Sequence, residues 1–376
     1  VAIGAAFRLC HLDAFGIWRD EAQTIFLARR SFPFGILQAL TYADVSPPLY
    51  YFLLHFWGQV LGSDWGLRFF SAVFGLATIP ILYWIGLKVF DADVALLAAF
   101  TAALSPHHIV VSRTVRMYTL LPLASLLAIY FVYRFVTTPT GGEHTRARRM
   151  AWWGIVLSFA FVLYTHNVGP FLVVSANAFF VWEMIWRKGT RKLFWPWLTA
   201  QLCVALLYAP WVPVLFEQLG LQGAVMGPWL PQQSRLGNVL RLFDELTGLA
   251  WPGGRPWLWM LVCALGVFTI QVRRMVSDHE EGDHEEGNHK GSPYVVALYL
   301  RLSTSLNLLL FCFIGPILLA VLAMPQTIGT IPSYVTLVAF PAMCYLVARG
   351  VNAVRPRPLT LLLLLGLSLV WIQTVS

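Results

Sequence analysis

Four short stretches of the chain hold residues whose types and spacing could do chemistry. Trp18-Arg19-Asp20-Glu21 sets two adjacent carboxylates among arginines, with Arg29, Arg30 and Asp44 further on. A carboxylate so placed can take a proton from a hydroxyl or an amine as a general base. The arginines can neutralise a phosphate through planar, multi-donor contacts. The same acids would equally suit the first turn of a surface helix, where the helix dipole favours negative charge. A second stretch runs from Ser105-Pro106-His107-His108 to Ser112-Arg113-Thr114-Val115-Arg116-Met117-Tyr118. There Arg116 and Tyr118 could meet a lipid phosphate; in the plainer reading Arg113 and Arg116 reach for anionic headgroups and Tyr118 joins an aromatic belt. Tyr164-Thr165-His166-Asn167, before Gly169-Pro170, sets polar side chains beside a helix break, as a cavity wall or as ordinary caps. The fourth stretch, 277–292, alternates acids, His and Gly, and reads as a solvated loop in preference to a metal site.

The elements that must position these groups are membrane helices. Of 376 residues, 58% are hydrophobic and 12% charged, against roughly a quarter charged in soluble domains. Mean hydropathy is +0.67. Apolar runs recur that can each cross a hydrocarbon core of roughly 30 Å. They are 1–12 (partial), 66–87, 93–111, 117–136, 151–166, 169–186, 194–216, 256–272, 303–323, 334–348 and 358–375. The expected fold is therefore all-α and polytopic, with about eleven spans (ten to twelve).

Basic residues sit between the runs: Lys88; Arg134 with Arg146, Arg148 and Arg149; Arg187 to Lys192; Arg273 and Arg274; Arg349, Arg355 and Arg357. An N-terminus inside puts all of these clusters on the cytoplasmic face. Residues 47–61 are apolar but short for a span, and counting them as one would move the later clusters outside. They are expected to form a re-entrant or interfacial helix opened by Pro47 and Pro48. The net charge of +8 is thereby a topology signal and gives no ground for a nucleic-acid partner. Five scattered cysteines form neither a metal-ligand pattern nor a disulfide framework. Three parts result: 1–216, a transmembrane module with external loop 13–65; 217–255, an external loop; and 256–376, C-terminal helices with the cytoplasmic insert 277–292.

Taken in order, the blocks resemble the GT-C glycosyltransferases, especially membrane enzymes related to protein O-mannosyltransferases (family 39) and the lipid A aminoarabinose transferase. Trp18, Asp20, Glu21 and Ala22 carry a Trp-x-Asp-Glu-Ala pattern. Asp44, Pro47, Pro48, Leu49, Tyr50 and Tyr51 carry Asp-x-x-Pro-Pro-Leu-Tyr-Tyr, leading to Gly66-Leu67-Arg68. Ser105, Pro106, Ser112, Arg116 and Tyr118 carry the third. The resemblance implies an inverting transfer of sugar from a polyprenyl-phosphate carrier to an extracytoplasmic lipid, glycan or protein, in a bacterial cytoplasmic membrane with the site on its external face. It implies Asp20 as general base and Glu21 as a second acidic contact. Arg116, Tyr118, Arg113 and Arg68 would bind the donor phosphate, and Asp44, Tyr50 and His166 would line the cavity. A divalent cation, if used, would fall to Asp20, Glu21 and Asp44. The chain has Ser46 where the family often has His, Thr114 where it often has an acid, and Ser333 where it often has Arg. Those departures keep a second reading open, a non-catalytic subunit scaffolding a membrane complex. A transporter of polyprenyl-linked substrate fits less well, because the polar groups cluster on one face.

Overall fold

The computed structural model describes residues 1–139, 144–218, 304–323 and 334–353. The expectations for 219–255, 256–272, 277–292, Ser333 and 358–375 fall outside them. Among the described residues the regular structure is helical throughout. In chain order the α-helices are α1 (Ala2–Leu9), α2 (Arg19–Ala28), α3 (Phe34–Leu40), α4 (Leu49–Val60), α5 (Asp64–Val89), α6 (Ala92–Leu104) and α7 (Pro106–Ser112). They continue as α8 (Leu120–Thr137), α9 (Thr145–Thr165), α10 (Gly169–Trp186), α11 (Phe194–Tyr208), α12 (Thr304–Ala323) and α13 (Tyr334–Ala353).

Length separates the spans from the short helices. The 26 residues of α5 rise about 39 Å at 1.5 Å each, enough to cross a bilayer. The 12 residues of α4 rise only about 18 Å, so α4 lies short of a crossing, as its sequence led us to expect. Among the described residues five helices are long and apolar enough to span: Asp64–Val89, Leu120–Thr137, Gly169–Trp186, Lys188–Gln218 and Val335–Asn352. The single span expected over 93–111 is instead two helices, α6 and α7, bent by 57° at their junction. Pro106 explains the break. It has no N–H to give the carbonyl four residues back, and its ring crowds that carbonyl. Counted together, α6 and α7 make a sixth span. The expected span at 151–166 is α9, which begins earlier, on the turn carrying Arg146, Arg148 and Arg149.

The helices pack around α13, whose Phe340 and Tyr345 are buried and whose Tyr345 hydroxyl donates to the Leu82 carbonyl at 2.6 Å. Glu183 near the end of α10 is buried; it pairs with Arg187 at 2.9 Å and accepts from Asn307 of α12 at 3.2 Å. Outward-facing positions are apolar: Leu206 is 74% exposed and Trp195 70%. That inversion suits a surface bathed in lipid, since contiguous apolar patches are rare on soluble monomers. At one end of the bundle the loop after α1, helices α2 to α4, the start of α5, the α7–α8 joint and the end of α9 come together. The candidate site lies there.

Candidate active site

Three carboxylates meet at this end, and hydrogen bonds sort them. Asp20 and Glu21 both occupy the first turn of α2, where the dipole favours them. Glu21 turns inward and is buried. Its Oε1 accepts from Arg68 Nε at 3.0 Å and from the Val115 N–H at 2.9 Å. Its Oε2 accepts from Arg68 Nη2 at 2.7 Å and from the Trp18 N–H at 3.3 Å. Arg68 gives its remaining donors to the carbonyls of Leu12, Phe15 and Gly16. A guanidinium has five N–H groups, and all five are used within the protein.

Asp44 is saturated in the same way. Its Oδ1 accepts from the Val45 N–H at 2.6 Å and Ser46 Oγ at 3.3 Å. Its Oδ2 accepts from the Tyr51 hydroxyl at 2.5 Å and Arg116 Nη1 at 2.9 Å. Burial and the neighbouring Asp44 charge raise the Tyr51 phenol well above its ordinary range, so Tyr51 remains a donor. Arg116 also reaches Thr24 Oγ1 at 2.9 Å and lies over the Tyr118 ring at 5.5 Å. Burial alone would weaken its hold on its proton, but the oxygens of Tyr51, Tyr118 and Asp44 outweigh that and raise it. Its Nε is buried without a hydrogen-bond partner.

Asp20 is different. It is half-buried, and among the described residues its carboxylate has no hydrogen bond or ion pair. It lies close enough to Tyr118 to perturb that phenol, whose proton is held mainly by burial, against the pull of Arg116. One carboxylate is therefore open near Tyr118, whose ring lies against a buried guanidinium with a spare donor, while the other two are locked by arginines. Asp44→Ala would strip Arg116 of its buried partner. We expect it to cost on the order of 3 kcal/mol of stability, read by equilibrium unfolding in mixed micelles.

An apolar groove of about 860 Å³ opens beside the loop that carries Asp44. Leu37, Phe52, Leu157, Ala160, Phe161 and Trp211 line it, together with Thr41 and Pro48, which flank the Asp44 loop. It joins the short helices α3 and α4 to the outer faces of α9 and the Lys188–Gln218 span. Its size falls within the usual range for ligand pockets.

The comparisons with known proteins bear on the fold that holds these groups. Residues 45–213 match the dolichyl-phosphate-mannose-protein mannosyltransferase family. ArnT from Cupriavidus metallidurans, in the apo state, superposes with a TM-score of 0.63 over 95% of this chain and 60% of its own, at 13% identity. The same protein bound to undecaprenyl phosphate gives 0.61, over 96% and 61%, at 14% identity. An oligosaccharyltransferase from Archaeoglobus fulgidus, in complex with Zn and sulfate, gives 0.57 over 100% and 52%, at 14% identity. The chain has the GT-C fold.

It spans about 60% of the ArnT chain, and no curated protein matches it significantly in sequence. The matched segment holds Arg68, Arg116, Tyr118 and His166, while Asp20, Glu21 and Asp44 lie upstream of it. Within this fold the residues singled out from sequence divide. Asp20, Asp44, Arg116 and Tyr118 converge, with the buried His166 ring 6.3 Å from that of Tyr118. Arg113 instead donates to the carbonyls of Phe7 and His11, at 3.0 and 2.8 Å. Tyr50 is fully buried, its hydroxyl 2.6 Å from Ser71 Oγ. Among the described residues no three His, Cys, Asp or Glu side chains come together in a way that could hold a metal ion. Glu21 and Asp44 each face a guanidinium, whereas a hard cation needs several free oxygens around it.

One further participant, Gln218, carried no sequence signal. Gln218 is buried and donates to the carbonyls of Leu40 and Asp44 at 2.9 and 3.0 Å. Its Oε1 accepts from Asn167, which also donates to the Val45 carbonyl at 2.8 Å. These two amides fix the loop that carries Asp44. Tyr51 stands beside Tyr50 in the sequence, yet it alone of the pair touches the site.

Proposed function

We propose that the chain is an inverting membrane glycosyltransferase, moving a sugar from a polyprenyl-phosphate carrier to an extracytoplasmic acceptor. The observation that carries this reading is the Asp20 carboxylate, without a partner among the described residues and close enough to perturb Tyr118, whose ring lies against Arg116. Asp20 would take the proton from the acceptor hydroxyl or amine as that atom attacks the anomeric carbon from the face opposite the phosphate. The bond from anomeric carbon to phosphate oxygen breaks as the new one forms, and the polyprenyl phosphate leaves with the electron pair. Arg116, through its spare Nε edge, and Tyr118 would hold that phosphate as charge builds on it, a preorganised electrostatic role. His166 would wall the same space. Asp44 would aim Arg116, and Glu21 and Arg68 would fix α2 against α5 without touching substrate. Arg113 would secure α1 instead of the phosphate.

The groove would take the isoprenoid tail, and two solved relatives were captured with such lipids. ArnT was bound to undecaprenyl phosphate, and the Archaeoglobus fulgidus protein AglB to dolichol-phosphate and an inhibitory peptide. The basic clusters at the far end of the bundle support a cytoplasmic membrane with the site facing out. The test is binding of undecaprenyl phosphate and dolichyl phosphate to the protein in nanodiscs, followed by release of polyprenyl phosphate from sugar-loaded carriers. Saturable binding with turnover supports the reading. A folded protein that binds neither lipid, and purifies with a stoichiometric membrane partner, would favour the scaffold subunit instead.

The groove makes its own prediction. Ala160→Trp should fill it and raise KM for a long-chain carrier by about tenfold, on the scale of the lost apolar contact. A carrier of one or two isoprene units should be little affected, and the ratio of the two KM values is the readout.

A further inference from the structure

Arg8, in the first helix, takes no part in the proposed chemistry and is fully buried. Among the described residues it has no acidic partner. A cation in such a place is costly unless every donor is met, and here every donor is. Nη1 donates to the carbonyls of Gly4 and Ala103, at 3.0 and 2.9 Å. Nη2 donates to the Ala102 carbonyl and to His108 Nδ1, both at 2.9 Å, and Nε to Ser112 Oγ at 3.2 Å.

The choice of carbonyls is informative. Ala102 lies four residues before Pro106, so its carbonyl is the one that the missing proline N–H leaves without a helical partner. Ala103 belongs to the same last turn of α6, where carbonyls are unpaired and the helix dipole is negative. Arg8 thus supplies from another helix the donors and the positive charge that the break lacks. The space for it is made by small residues. A Cβ on Gly75 would stand 2.3 Å from Ser112 Oγ, and one on Gly4 3.3 Å from Arg8 Nη1 and 2.7 Å from the Ile79 side chain. Because Nδ1 of His108 accepts from Arg8, its Nε2 carries the proton, and that ring lies flat on Phe340 at 4.7 Å.

Beyond the pinned helix α7 the chain runs on as a strap, 113–119. Arg113 returns to the carbonyls of Phe7, in α1, and His11, just after it, and Val115 gives its N–H to Glu21. Arg116 then meets Asp44, and Thr119 Oγ1 donates to the Ser71 carbonyl at 2.7 Å. We propose that Arg8 is a positioning residue for Arg116: it fixes the 57° break between α6 and α7, and through it the strap that carries Arg116 to Asp44. Its consequence for carrier binding rests on the transfer reading, whereas its hold on the strap does not.

The experiment compares wild type, Arg8→Gln, Arg8→Lys and Ser112→Ala in nanodiscs by amide hydrogen exchange and by affinity for undecaprenyl phosphate. Ser112→Ala is the conservative variant, removing one acceptor and leaving the guanidinium in place. In Arg8→Gln the amides of 113–119 should exchange about tenfold faster, the scale of one unmet buried hydrogen bond, with α9 unchanged. Arg8→Lys and Ser112→Ala should shift them less, and lipid affinity should fall in the same order. Wild-type exchange in 113–119 of a folded Arg8 or Ser112 variant would overturn the proposal, and so would an equal loss of protection across all helices. A loosened strap with undiminished lipid affinity would also overturn it. If wild type itself binds no undecaprenyl phosphate, the transfer reading fails, and the exchange pattern alone decides the role of Arg8.

Discussion

Asp20→Asn is expected to slow sugar transfer by about a thousandfold, within the range that removal of a general base produces, while the protein keeps its fold and its carrier affinity. The amide preserves the shape of the carboxylate and deletes only its capacity to take a proton. Stability should barely move, because the Asp20 carboxylate has no partner among the described residues to lose. Asp44→Asn offers the contrast. Asp44 spends both oxygens on four donors, Arg116 among them, so its substitution should show first as instability and weakened phosphate binding. Rates measured with carrier saturating separate the two: Asp20→Asn lowers kcat, whereas Asp44→Asn raises KM as well. Near wild-type kcat in a folded Asp20→Asn protein would remove Asp20 from the role of base. No second acid in the site has a free oxygen pair to take it over.

The contrast between those two aspartates marks where the sequence stops informing. Residue types and their order are local, and they suffice to place Asp20, Asp44 and Arg116 on one end of a helical membrane protein with the GT-C arrangement. Hydropathy is local too, which is why α5, α8 and α10 fall where their apolar runs do, and why α4 reads as too short to cross. Partnerships are not local. Glu21 meets Arg68 from 47 positions away, and Asp44 meets Arg116 from 72. Without those distances Arg68 and Arg113 look as able to bind phosphate as Arg116 does. The structure shows that Arg113 spends its donors on carbonyls at the end of α1, and Arg68 divides its own between Glu21 and the carbonyls of the loop after α1. The break at Pro106 was within reach of sequence, since proline inside an apolar run kinks or ends a helix, but a long apolar run outweighed it. Gln218 was beyond reach. An amide that closes a loop by bonding its carbonyls leaves no pattern in composition or spacing.

Glu21→Ala should be among the most destabilising single changes in this half of the chain, at about 3–5 kcal/mol, because it leaves the Arg68 guanidinium buried without its counter-charge. The side chains of the pair are 5% and 1% exposed, so water offers little relief, and the Val115 N–H loses its acceptor at the same stroke. Arg68→Met should cost at least as much, since it also abandons the carbonyls of Leu12, Phe15 and Gly16. Together the two changes should cost less than their sum, because the second removes a charge that the first had stranded; contacting pairs commonly couple by about 0.5–3 kcal/mol. Equilibrium unfolding of the three variants and wild type in mixed micelles closes the cycle. Additive losses would mean that the two side chains act independently despite their 2.7 Å contact. Glu21→Gln then separates structure from chemistry. An amide keeps one acceptor for Arg68 but turns a nitrogen toward its other donor, so stability and activity should fall together if Glu21 only holds α2 in place. Activity lost at wild-type stability would return Glu21 to the acceptor, and would leave the arginine-saturated carboxylate of this structure as one state of a residue that must let go of Arg68 to work.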